Sequence, residues 1–416
     1  MVGRPTPPHL AQLEMRQATA DDTDEFFATT LRGFHGDYTA EHWTAGRGVF
    51  EPDRNFGYAV DGRWISTCGA YSRMMTVPGG AVPVAAVTFV TVQPSYRRRG
   101  LLTQMMQHQL ADIVERGSEP VALLWASEAS IYGRFGYGAA TSRHKVFGPT
   151  SPVELRPEVD LGAGSVGELE RDEALPIIAD LRRGFLPQRV GGLDRSDAWW
   201  TVRWHDPEPW RDGASAYRFA LHYARSGKPD GYAVFRVKEH GPHAGAEVRV
   251  IEVDAGSPPG YAALWRFLLS LDLVHSFRAD APVDDPLRHL VADPGVITVE
   301  LHPGTYARLV DVRRALEART YATDLDLVIG IRDRMLPHND GAIRLQAGPD
   351  GASTTRARRR PDLTLDVRDL GAIYLGNGAL GSLHAAGLVE QRTSGSVAAV
   401  TAAFTSLRAP YCEDFF

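Results

Sequence analysis

The stretch from Val90 to Met106, VTVQPSYRRRGLLTQMM, sets the tightest limit on how this chain folds. A β-branched run ends at Pro94, which has no N–H to give to a sheet ladder, so the strand must part from its neighbours there. Three arginines and Gly100 follow. Leu102, Met105, Met106, Leu110 and Ile113 then recur on one stripe until Gly117, which predicts an amphipathic helix lying on the sheet. The turn between strand and helix also carries chemistry. Amides that open a helix have no intrahelical partner and carry partial positive charge, which suits phosphate oxygens. Gly100 lets the backbone approach a ligand closely, and Arg97 and Arg98 add charge. A bare basic turn has the same ingredients, so the surrounding elements must decide.

Those elements form an α/β unit over residues 1–150. TADDTDEFFATTLRGF opens on a capping Thr19 and early acids, then places Phe26, Phe27, Thr30, Leu31 and Phe34 at helical spacing. Three β-rich runs from Phe56 to Val92 are broken by Asp61-Gly62 and by Pro78 to Gly80, which predicts an antiparallel meander. The strand PVALLWA, the short segment SEASIYGRFGYG and a last strand to about Phe147 complete the unit. Residues 151–298 repeat part of this order: GYAVFRV and AEVRVIEVDA read as paired strands and GYAALWRFLLSLD as a helix. Where the first copy has QPSYRRRG the second has GSPPG, whose prolines donate no N–H, so the second copy reads as structural. The stretch DAWWTVRWHDPEPW within it reads as core or interface packing. Residues 299–416 change pattern to an α+β third unit, in which the run Arg356 to Arg360 reads as a solvated loop or an oligomer contact.

A formal net charge of -6 argues against affinity for nucleic acid or an anionic membrane and is compatible with cationic ligands. Cys68 and Cys412 are too few for a disulfide framework and too far apart for a metal motif, so no metal is expected and a reducing, cytoplasmic setting fits. No stretch approaches eighteen consecutive apolar residues and no secretory signal is visible, which predicts a soluble protein. The chain closes on APYCEDFF. Chain ends usually fray, yet Phe415 and Phe416 gain by leaving water, so this tail is expected to dock and to carry its terminal carboxylate with it.

The strand, the Arg-x-x-Gly-x-Leu turn and the helix resemble the acetyl-CoA signature of the GCN5-related N-acetyltransferases. Together with IYGRFGYG, the order of three units and the final phenylalanine, the whole chain resembles the enhanced intracellular survival (Eis) family of bacterial acetyltransferases. The resemblance implies tandem GCN5-related domains, the second degenerate, then a sterol-carrier-like α+β domain whose end enters the active site. It implies acetyl-CoA as co-substrate, held by Val90 and Val92 on the splayed strand, by Arg97, Arg98, Gly100, Leu101 and Leu102 at the turn, and by Ser127. It implies a homo-hexamer and acetylation of a polyamine or aminoglycoside acceptor at more than one amino group.

Acyl transfer to an amine needs that amine deprotonated and the departing thiolate protonated. The resemblance assigns the acid to Tyr132 and the base to the α-carboxylate of Phe416. A phenol near pKa ~10 can protonate a thiolate near ~8.5, whereas an α-carboxyl near ~3.5 is a poor base unless burial raises it or water relays the proton. Holding the ammonium in place is the alternative role for that carboxylate. Phe89, Trp43 and Asp37 correspond loosely to the acceptor pocket, where an aromatic wall and a carboxylate suit a polycation. Each residue also has an ordinary reading. Tyr132 fits a core beside Phe135 and Tyr137, Ser127 fits a strand-end cap, and the pocket residues fit core or surface. Two other functions remain open: acetylation of protein lysines or metabolite amines, and a carrier or sensor that binds acyl-CoA or lipid without turnover.

Overall fold

A computed structural model describes residues 13–151, 153–241 and 245–416. The predicted meander is present as Asn55–Val60, Ser66–Val77 and Gly80–Val92, paired antiparallel. Asp61 and Gly62 turn it at φ 49° and 74°, the left-handed values that a two-residue Asp-Gly turn requires. At the first helix, Thr19 and Asp22 form a capping box over a single 3-10 turn, and Thr23–Gly33 follows. The helix of the basic turn spans Leu101–Arg116 and stops on Gly117 at φ 67°. Its buried stripe begins at Leu101 rather than Leu102, and Leu102 lies half-buried at the edge of the same core.

Three sheets organise the chain. The first runs in the order Glu14–Gln17, Asn55–Val60, Ser66–Val77, Gly80–Val92, Val121–Trp125, Thr305–Leu309, Gly138–Ala139. The second runs Thr298–Pro303, Ser142–Pro149, Val274–Pro282, Ala246–Ala255, Pro229–Glu239, Arg218–Tyr223, Ser165–Leu169. The third has five strands, with Leu325–Arg332 at its centre.

Two strands cross between units. Ser142–Pro149, expected to complete the first sheet, pairs with Val274–Pro282 and Thr298–Pro303 in the second. Its place in the first sheet is taken by Thr305–Leu309, which was expected in the third unit and pairs with Val121–Trp125 and with Gly138–Ala139. All five of its residues are buried, so it shows no alternation from which a strand could be read. Arg308, fully buried within it, donates to both Asp333 oxygens at 2.8 Å and ties the first sheet to the third unit.

The second sheet reproduces the strand–helix pairing read from the sequence, with Ala246–Ala255 antiparallel to Pro229–Glu239 and followed by the helix Pro258–Leu269. The arginine run at 356–360 leaves the strand Gly351–Arg356 into an exposed loop. No helix of the described residues is long and apolar enough to cross a membrane.

Candidate active site

The strand Gly80–Val92 has two neighbours and keeps only one of them to its end. Its parallel ladder with Val121–Trp125 stops at Val87 opposite Leu124. The antiparallel ladder with Ser66–Val77 continues to Val92 opposite Ser66. Between Thr88 and Thr91 it carries two residues, Phe89 and Val90, against the single Cys68, which is a β-bulge. Phe89 sits there at φ 57°, a conformation that strains a bulky residue. The Thr67 hydroxyl holds it by donating to the Phe89 carbonyl at 2.6 Å. A gap therefore opens toward Val121–Trp125 beside Val90 and Val92, the two strand residues that the resemblance assigns to acetyl-CoA.

The turn below the gap is braced from within. Arg97 donates through Nε to the Val92 carbonyl at 3.0 Å and through Nη2 to the Gly33 carbonyl at 3.1 Å, tying the strand end to the end of the first helix. Arg99 donates to the Ser95 carbonyl at 3.0 Å. Arg98 is exposed at φ 63°, so of the two arginines read as charge for a diphosphate, the structure gives Arg97 an internal brace and leaves Arg98 toward solvent. Gly100 caps the helix at φ 82° with no side chain over the opening amides. A Cβ built on it would meet nothing nearer than Gln104 Nε2 at 3.9 Å. The amides of Leu101 and Leu102 thus face an open cradle, and the splayed strand with this helix start fits acetyl-CoA.

Tyr132 ends the short helix Ala129–Tyr132 and is buried in the core that lines the underside of the gap, beside Tyr137 with ring centroids 6.1 Å apart. Burial, with Cys68 and Glu128 alongside, pushes its phenol well above the ordinary value, so it stays protonated. Ser127 is exposed just past the strand Val121–Trp125, and the cap of the following helix is Glu128, so Ser127 is not the capping residue.

On the other face of the bulge lies an aromatic cluster. Phe89 is surrounded by Phe27 at 5.4 Å, Tyr71 at 5.5 Å and Phe26 at 5.9 Å. Trp43 packs on Phe27 at 5.3 Å. The tryptophan-rich stretch of the second unit closes over it, with Trp199 on Tyr71 at 4.8 Å and Trp210 on Trp43 at 5.3 Å. Phe416 packs against this cluster and also against the core that holds Trp125. Asp37 is exposed, and its neighbour Tyr38, which does join the cluster, donates its hydroxyl to Asp24 at 2.5 Å. Tyr71, Trp199 and Trp210 were not singled out for the pocket from sequence, because an aromatic has the same pattern in a core and in a ligand wall.

The tail docks by its acids and by the Phe416 ring, whereas Phe415, also expected to leave water, is 77% exposed and meets only the Trp125 ring at 5.6 Å. Asp414, 4% exposed, accepts from Arg195 Nε at 2.8 Å and from Arg182 Nη2 at 3.0 Å. Its carbonyl accepts from Trp125 Nε1 at 2.9 Å. Glu413 accepts from Arg182 at 2.8 Å. Burial alone would raise the Asp414 carboxyl, but Arg195, Arg182 and Arg73 together hold it below the usual range.

Comparison with known proteins matches residues 14–140 and 191–309 each to an acetyltransferase (GNAT) domain, and residues 312–413 to a sterol carrier protein domain. An N-acetyltransferase of Streptomyces avermitilis with no further description is 38% identical over 97% of this chain and 99% of its own. The N-acetyltransferase Eis of Mycobacterium tuberculosis is 33% identical over 80% of this chain and 81% of its own. The chain belongs to the Eis family of GCN5-related N-acetyltransferases. The crystal structure of Eis1 from Mycobacterium abscessus superposes with a TM-score of 0.82 at 32% identity, covering 97% of this chain and all of that one. As an Eis-family member the chain is an acetyl-CoA-dependent N-acetyltransferase with two GNAT domains followed by a sterol-carrier-like domain, which sets aside the carrier or sensor without turnover. The strand swap means that this Eis-type chain closes its first sheet with a strand, Thr305–Leu309, that forms the last residues of its second GNAT match.

Proposed function

We propose that this enzyme acetylates amino groups of polycationic small molecules such as aminoglycosides, at more than one position on the same acceptor. The observation that carries this reading is the packing of Phe416 against the aromatic cluster of Phe89, Trp43 and Tyr71. Aromatic faces attract ammonium groups, and a carboxylate at the Phe416 end would lie among them.

Acetyl-CoA supplies the acyl group as a thioester. The chain's own part is to hold it by the splayed backbone at Val90 and Val92 and the helix opening at Gly100, Leu101 and Leu102, with Arg98 and Ser127 at the exposed margins. Tyr132, kept neutral by burial, donates its proton to the departing thiolate sulfur. The Phe416 α-carboxylate takes the amine's proton, directly or through water, or holds the ammonium while water takes it. Asp37, exposed near the cluster, would meet a second ammonium of a long acceptor.

The test is CoA release from acetyl-CoA with aminoglycosides, linear polyamines and lysine-containing peptides, comparing the intact protein with one lacking Phe416. Turnover of aminoglycosides that collapses on the deletion while acetyl-CoA still binds supports the reading. Turnover confined to peptides would replace it with the protein-lysine reading. Light scattering at six chain masses would accord with the hexamer that the resemblance implies.

A further inference from the structure

Three buried or half-buried guanidinium groups of the middle domain face three buried or half-buried carboxylates, and the Phe416 reading gives them no part. Arg195, with its side chain 1% exposed, donates to Asp414 and, on its other edge, to Glu252 at 2.6 Å. Arg203 donates to the same Glu252 at 2.8 Å. Arg182 bridges Glu413 and Asp414 and donates to the Leu193 carbonyl at 2.9 Å. Charge balances at three against three, and Arg182 has carboxylate partners only while the tail is seated, because both of them, Glu413 and Asp414, lie on it. Arg203 ends the helix Asp197–Arg203, which carries Trp199 into the aromatic cluster. One network therefore ties the tail to the wall of the acceptor pocket. Tyr411 continues it, donating its amide to the Val190 carbonyl at 2.9 Å.

We propose that Arg182 and Arg195 of the second GNAT domain are positioning residues for the transfer reaction: they fix Asp414, and through it Phe416, against the acceptor wall. Two residues of extended chain reach at most about 7 Å, so an Asp414 pinned on both oxygens leaves Phe416 little range. The Trp125 indole, donating to the Asp414 carbonyl, pins the same residue from the first domain. The second domain, whose own helix start carries prolines, thus serves catalysis as the anchor of the C-terminal segment. This rests on the reading that Phe416 works in the site.

The experiment is a cycle of full-length variants: Asp414→Asn, deletion of Phe416, and both together, with kcat and KM measured for acetyl-CoA and for the amine. A misplacement of about 1 Å costs on the order of a hundredfold in rate. Asp414→Asn should therefore lower kcat by about ten- to a hundredfold and leave the acetyl-CoA KM within about twofold. Because both changes act through Phe416, the double variant should be no slower than the deletion alone. Additive losses, or an Asp414→Asn enzyme as fast as the parent, would overturn the anchor while the Phe416 reading stands. A fully active deletion would sink the Phe416 reading, and with it any positioning through that residue. Should Asp414→Asn fail to bind acetyl-CoA, hydrogen exchange on the unaltered protein decides. Amides of residues 411–416 exchanging as slowly as core strands support the anchor, and exchange at the rate of a frayed end refutes it.

Discussion

The network that seats the tail should make stability depend on acid through Glu252. Burial works to raise this carboxyl, but Arg195 and Arg203 prevail and bring it from 4.5 to about 2. A folded-state value below the unfolded one means that the folded protein binds fewer protons. The stabilisation is then complete above about pH 4.5 and lost as the pH falls toward about 2. Set against an ordinary carboxyl, the difference is worth roughly 3 kcal/mol near neutral pH, of which about 2 kcal/mol is gone near pH 3. Glu252→Gln removes the titrating group and keeps its shape. Urea unfolding near pH 7 and near pH 3 should therefore show the gap between parent and variant shrinking by about 2 kcal/mol. Tryptophan fluorescence is the reporter, since Arg195 lies 5.0 Å over the Trp200 ring and 5.9 Å over Trp204. A gap that stays constant across that range would refute the argument, because it would mean that Glu252 carries no shifted proton.

Tyr132→Phe keeps the ring in its core and removes the hydroxyl, so kcat should fall by about 10²–10⁴ with little change in unfolding midpoint; unchanged kcat in a steady-state assay would remove the acid role. Gly191 adopts φ 88°, and a Cβ there would meet the Tyr411 carbonyl at 3.1 Å and the Thr141 methyl at 3.2 Å. Gly191→Ala should cost about 1–2 kcal/mol from its backbone alone and lower kcat by lifting the tail, as seen in denaturation and rate measurements on one preparation. Calorimetric titration should find one acetyl-CoA per chain, since the helix start of the second copy has no free amides for a diphosphate; a second equivalent would contradict that.

Much of the first domain was legible because its signals are local. The Asp-Gly turn, the capping box at Thr19, the stripe ending at Gly117 and the basic turn each specify their geometry within a few residues. The strand exchange was not legible. Thr305–Leu309 is buried on both faces and reads as an undifferentiated apolar run, and nothing local tells Ser142–Pro149 which sheet will receive it. Of the site, the backbone elements were placed correctly as strand, turn and helix start. The partners of charged side chains were not, because Arg97 reads alike whether it meets a phosphate or the Val92 and Gly33 carbonyls. Arg182 and Arg195 sit more than 200 residues from the acid they hold, beyond any spacing argument.

The two GNAT copies show how little sequence separates a binding site from a scaffold. Both splay a strand from its parallel neighbour: the first ladder ends at Val87 and Leu124, the second at Val250 and Ala279. Both bulge on the strand before the helix, at Phe89 and at Ile251. They part at the helix start. Gly100 leaves the first amides open, whereas Pro258 and Pro259 have no N–H and the Gly260 amide is already taken by Ser257 Oγ at 3.2 Å. The Ser257 hydroxyl is spent in turn on Asp230 at 2.9 Å. The strand Ala246–Ala255 ahead of that closed helix start carries Glu252. That carboxylate is what lets Arg195 face both the strand and the tail. The second copy, with no open amides at its helix start, thus keeps the splayed strand as the frame that presents Glu252 to Arg195, and Arg195 to the tail.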